Sequence, residues 1–194
     1  MSATIIRGTI NVKRKLTILG ATLPIILIAD VITKRWAVEA LLGASRPDFM
    51  GGAVPLTLAY NRGAAFGISI GDNPRLFFIP VALLALGLMV ALIIRAHDRD
   101  HLRLISLALV ISGALGNLID RVRWDQGVVD FIGPIPLGFM NWPIFNIADM
   151  AISCGAVLLA VSFWLEDRAL KRAEGDKRAD APAEVMTGPE PTES

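Results

Sequence analysis

The sequence predicts an all-α membrane protein with four transmembrane helices. Two observations carry this: 54% of the 194 residues are hydrophobic against 19% charged, and the charges gather between four long apolar runs. That is too apolar for an ordinary water-soluble domain of this length. The net charge of +1 makes no case for a nucleic-acid partner. The four Trp and one Tyr stand mostly near the ends of the runs, as interfacial anchors do.

The first run follows Lys13-Arg14-Lys15 and extends from Leu16 to about Val38, with Asp30, Lys34 and Arg35 in its last turns. Its basic start is like that of a signal peptide. Its core is long, however, and "ADVITKRW" offers no small-x-small cleavage site, so an uncleaved helix is expected. The second run, Leu76 to Ile94, is uncharged between Arg75 and Arg95. The third is Leu104 to Ile119, and the fourth is about Ile144 to Leu165. A span needs roughly 20 residues, so the last two are short unless their polar ends are helical too. The resulting division is an N-terminal segment 1–15, a membrane domain 16–166 and a tail 167–194. From about Ala173 the tail is charged and holds three Pro, which predicts disorder.

Orientation follows from Lys and Arg. Residues 1–15 carry four and no acid, the loop 95–103 carries three Arg, and the tail after Leu165 carries five, twelve in all. The opposite side, 34–75 plus 120–149, holds seven in many more residues. Both termini are therefore expected in the cytoplasm, with the connections 39–73 and 120–143 outside. Those connections are not plain linkers. "VPLTLAYNRGAAFGI" (54–68) alternates and then breaks at Asn61-Arg62-Gly63, which predicts a strand and a turn. "GVVDFIGPIPLGF" (127–139) reads as a strand followed by an irregular loop. Both are apolar enough to lie at the membrane surface.

The polar residues of the outer end form a set: Asp30, Asn61, Asn117, Asp120, Arg121, Asp130, Asn146 and Asp149. Asp30 and Lys34, four apart, share a helix face and are placed to pair, either to fix the helix end or to hold a neighbouring loop or substrate. In "SGALGNLIDR" (112–121), Gly113 and Gly116 permit close helix contact, and Asn117 and Asp120 share a face. Asp130 in "VVDF" has no adjacent cation. Asp149 heads the last run, three residues after Asn146. Two readings of the aspartates stay open. They are separate caps or ion-pair partners, Asp149 being favoured by the helix dipole. Or the outer loop brings them together, so that they share a proton and act as acid and base on a water.

Other chemistries fare worse. There is no Gly-rich phosphate loop. His97 and His101 lie in a solvated charge run on the cytoplasmic side, away from the polar set. The single Cys154 excludes a disulfide within the chain and reads as a small buried helix residue. A small transporter using intramembrane carboxylates is a rival. Against it, the polar set lies at one face and no helix is broken at its centre. A purely structural helix bundle is the third reading.

The motifs "DVITK" (30–34), "YNRGAAFGI" (60–68), "GALGNLIDR" (113–121), "VVDFI" (128–132) and "FNIAD" (145–149) resemble, in order, those of the lipoprotein signal peptidases, the type II bacterial signal peptidases. The resemblance spans about 30–149. It implies a four-helix protein of the bacterial inner membrane with a small extracytoplasmic β-cradle and loop. It implies an aspartic endopeptidase that removes the signal peptide of diacylglyceryl-modified prolipoproteins, cutting before the lipidated cysteine. It further implies no metal or organic cofactor, and inhibition by the depsipeptide globomycin. The catalytic pair carried over is Asp130 and Asp149. Asp30, Lys34, Asn61, Asn117, Asp120, Arg121 and Asn146 match supporting and substrate-contacting positions. Position 31 is Val where a polar residue is common in the family. The loop 54–68 is expected to close over the substrate.

Overall fold

The computed structural model describes residues 12–46, 49–63 and 73–179. It contains four long helices: α1 (Val12–Leu41), α2 (Arg75–Arg95), α3 (His101–Arg123) and α4 (Ile147–Ala179). Each is long and apolar enough to cross a membrane. The polar ends of the third run are helical, which gives it full length. Backbone near a bilayer must satisfy its own N–H and C=O groups, and a helix does so residue by residue. Asp100 starts α3 by accepting from Arg103 N at 3.0 Å.

The helix α3 packs against both α1 and α2. Over its most apolar stretch 56% of its residues are buried, against 6% for α1 and for α2, so α3 is the central one of these three. Its composition allows this. Ser106 and Ser112 are buried, and their hydroxyls bond back to Leu102 O and Ala108 O. Leu104, Leu107 and Ile111 form an apolar core with Ile93 and Ala96. Gly113 and Gly116 supply the close contact expected of them. A Cβ on Gly113 would sit 2.3 Å from Ala148 O, and one on Gly116 would sit 2.9 Å from Asp30 Oδ2.

Two small antiparallel sheets fill the connections. Strands β1 (Ser45–Arg46), β2 (Leu56–Asn61) and β3 (Val128–Ile132) form one in that order, and β4 (Ile135–Pro136) pairs with β5 (Asn141–Trp142). Ala59 lies opposite Asp130, Tyr60 opposite Val129 and Asn61 opposite Val128. Leu56 and Phe131 bury against Ala37 and Leu41 at the end of α1, which seats the sheet on that end of the helices. The predicted strand of 54–68 is thus β2, and Gly63 turns the chain at φ +116°. Residues 64–68 of that loop lie outside the described residues.

Three expectations are corrected. The fourth helix begins at Ile147 rather than Ile144, because Phe145 is held in extended pairing with Ile132. The tail, read as disordered from about Ala173, is helical as far as Ala179. Its Ala, Leu, Lys, Arg and Glu are strong helix formers. Lys171 pairs with Asp167 at 2.6 Å one turn back, and Arg168 lies over the Trp164 ring at 4.1 Å. Residues 180–194, like 1–11, lie outside the described residues. Cys154 is exposed rather than buried. It occupies an outward face of α4, while Gly155 beside it faces Ser106 O and Val110 of α3.

Candidate active site

One end of the helices carries the whole polar set. There α1 and α3 finish, α4 begins, and β2 and β3 pair beneath the helix ends. The opposite end holds a separate tie, Lys15 Nζ to Ile94 O at 2.7 Å and to Asp98 at 3.4 Å.

Asn146 caps α4. Its Oδ1 accepts from Asp149 N at 2.8 Å, and Asp149 Oδ2 accepts from Asn146 N at 3.3 Å. This is a reciprocal capping box, with Asp149 in the first helical turn. The Asn146 carboxamide also donates to Asp130 Oδ1 at 2.7 Å, Asn117 Oδ1 at 3.1 Å and Val129 O at 3.2 Å. One fully buried residue therefore reaches both carboxylates, that of Asp130 through its carboxamide and that of Asp149 through its main-chain N–H. Asn117, from α3, completes the link by donating to Asp149 Oδ1 at 2.7 Å. Asn61 stands on the same face of the strand pair as Asp130, because both alternate with the Tyr60–Val129 pair. It hydrogen-bonds Asp130 through its side chain while its Oδ1 accepts from Gly63 N at 2.8 Å.

Asp130 is buried at 3% exposure. Burial, and then the nearby charge of Asp149, push its carboxyl up to about 7, although hydrogen bonds from Asn61 and Asn146 pull the other way. Its carboxyl therefore holds a proton to higher pH than an ordinary aspartate does.

A second layer holds these residues in place. Lys34 Nζ reaches Asp30 Oδ2 at 2.6 Å, Asp120 Oδ2 at 2.8 Å and Asn117 Oδ1 at 3.2 Å. Asp30 Oδ1 accepts the Ala148 N–H at 3.0 Å. A carboxylate of α1 thus satisfies an N–H that the first turn of α4 leaves open. Arg121 bonds Asn117 O at 3.1 Å and lies over the Phe78 ring at 5.7 Å. Its charge interacts first with Asp149, then with Asp130 and Asp120.

All nine residues singled out in the sequence therefore meet at this end. Sequence reasoning missed Phe78, Gly127 and the Ala148 amide. A Cβ on Gly127 would lie 2.3 Å from Asn61 O, so this glycine lets β3 start close against Asn61. Its position before "VVDF" was the available signal. The Ala148 amide had none, since every residue but proline carries one.

The family model described as "Signal peptidase (SPase) II" matches residues 22–165. The chain belongs to the signal peptidase II family. It is 38% identical over 158 residues to a lipoprotein signal peptidase of Hydrogenovibrio crunogenus, covering 80% of this chain and 90% of that one. It is 37% identical over 152 residues to one of Syntrophus aciditrophicus, covering 77% and 93%. A solved bacterial membrane enzyme, determined by the in meso method at 2.3 Å, superposes with a TM-score of 0.65 at 30% identity, covering 83% of this chain and 93% of that one. The protein is a multi-pass membrane protease.

Proposed function

We propose that Asp130 and Asp149 are the catalytic pair of an aspartic endopeptidase that removes signal peptides from lipoprotein precursors. The observation that carries this is Asn146, which touches both carboxylates at once. The function itself rests on family membership.

A water between the two carboxylates attacks the scissile carbonyl. Asp149 takes the water proton as general base. Asp130 holds the shared proton and donates it to the developing oxyanion. Asp149 then passes its proton to the leaving amine, and Asp130 recovers its own as the carbonyl reforms. Asn117, Asn146 and Asn61 fix the carboxylates, so little reorganisation remains for the chemical step. The buried Asp30–Lys34–Asp120 cluster fixes Asn117 and the start of α4 in turn.

The substrate is a diacylglyceryl-modified precursor, cut before its lipidated cysteine. The acyl chains stay in the bilayer between helices while the peptide bond reaches the dyad. The domain 16–166 carries the site, at the extracytoplasmic face of a bacterial inner membrane. Both termini are cytoplasmic, in keeping with the twelve-to-seven bias in Lys and Arg. Globomycin blocks the reaction by occupying the dyad, without a metal or cofactor. The test is cleavage of a lipidated precursor by membranes containing the Asp130→Asn or Asp149→Asn variant. Stable expression with normal cleavage overturns the assignment.

A further inference from the structure

A cavity of about 420 Å³ opens between the ends of α1 and α3, lined among others by Val31, Val38, Ile119, Arg35, Arg123 and Trp124. Tyr60 and Val129 also line it. These two face each other across the strand pair, one residue out of step with Asn61 and Asp130. Side chains alternate across a strand. The cavity therefore lies on the opposite face of the β2–β3 ribbon from the dyad.

Its walls repeat one arrangement on two parallel helices. Val31 precedes Arg35 by four residues on α1, and Ile119 precedes Arg123 by four on α3. Each helix thus places an aliphatic group about 6 Å deeper than a guanidinium. Trp124, 52% exposed, stands at the same level as Arg123, and Trp36 is exposed beside Arg35. Exposed tryptophans at a helix end mark the headgroup layer. The charges are unbalanced. Lys34 and Asp120 pair with each other. Arg35 and Arg123 are exposed and have no ion pair among the described residues. Glu39 is the only other acid in the lining.

We propose that this groove binds an anionic glycerophospholipid of the surrounding leaflet. Its phosphate lies between Arg35 and Arg123, and an acyl chain lies over Val31 and Ile119. Basic pockets between helices at headgroup level hold lipid phosphates in this manner, and guanidinium groups match phosphate geometry. The groove is distinct from the dyad, which lies on the other face of the ribbon, and the two share only the Lys34–Asp120 pair as a wall.

The experiment uses the full chain, purified in a neutral detergent, with phosphatidylglycerol or phosphatidylcholine added. Native mass spectrometry reads retained lipid, and thermal unfolding reads stabilisation. The expected result is at least fivefold more phosphatidylglycerol retained than phosphatidylcholine, with a higher Tm for the former alone. The Arg35→Gln/Arg123→Gln double variant loses that preference, whereas Glu39→Gln strengthens it. Equal retention of the two lipids overturns the proposal. So does a phosphatidylglycerol preference that the double variant keeps. If the double variant fails to fold, the Glu39→Gln result decides: no gain in phosphatidylglycerol retention rejects the groove.

Discussion

Asn146 and Asp149 cap each other across the first turn of α4, by side chain to main chain in both directions. The capping and catalytic readings of Asp149 are therefore compatible. The same geometry that closes the helix end holds one carboxylate still beside the other. Asp149→Asn keeps an acceptor for the Asn146 amide, so the fold is expected to survive. Cleavage of a lipidated precursor, followed by gel shift, is expected to fall by about 10²-fold or more, the scale of a lost general base. Asn146→Ala is expected to lose both stability and activity, with about 1 kcal/mol from the cap alone.

Asp130 makes stability depend on pH with a definite sign. Its folded pKa, about 7, is raised above the ordinary 3.8, so the folded state binds more protons between those values. Its contribution to stability is complete below about pH 4 and is lost as pH rises through about 7. Thermal unfolding in detergent is expected to show a falling Tm across that window, and Asp130→Asn is expected to flatten it. A variant that keeps the full slope assigns the effect elsewhere. Activity that depends on a protonated Asp130 should decline over the alkaline end of the same window.

The Lys34 cluster is a buried ion-pair network that positions the site. Lys34→Met leaves Asp30 and Asp120 without their cation and is expected to cost about 3–5 kcal/mol. The Asp30→Asn/Lys34→Met double variant should be less destabilised than the sum of the singles, because the uncompensated charge at Asp30 is gone. Equilibrium unfolding of the four proteins measures the coupling; strict additivity would count against a network.

Glycine contacts set the distance between helices. Gly113→Ala puts a methyl 2.3 Å from Ala148 O, a main-chain atom that cannot move aside without shifting the start of α4. The expected cost is about 1–3 kcal/mol, with a drop in kcat because Asp149 moves with that turn. Gly87→Ala in α2 meets nothing within 4 Å and is expected to be neutral or stabilising by up to about 1 kcal/mol. Equal effects at the two positions would reject the packing argument.

Much of the site was legible because polar residues in apolar runs are costly and so stand out. Asp30, Lys34, Asn117 and Asp120 were marked by helical spacing, and Asn61 by the break in alternation at Asn61-Arg62-Gly63. Phe78 was one aromatic residue among many apolar ones, and nothing local tied it to Arg121. The continuation of α4 past Leu165 was hidden by charge, which also suits an exposed helix.

The sequence by itself determined four spans, the gathering of polar residues at one end, and the family, through five ordered motifs. Composition and period suffice for the spans, because each helix satisfies its own backbone and each apolar run declares its length. Only the tertiary structure decided that Asn146 links the aspartates, that Asp30 reaches the Ala148 amide 118 residues away, and that the arginine-lined groove lies behind the ribbon. Those facts depend on how closely Gly113 and Gly116 let the helices approach and on which face of a two-residue alternation each side chain takes. Contacts between distant segments are set by that packing, and main-chain donors leave no mark in the sequence.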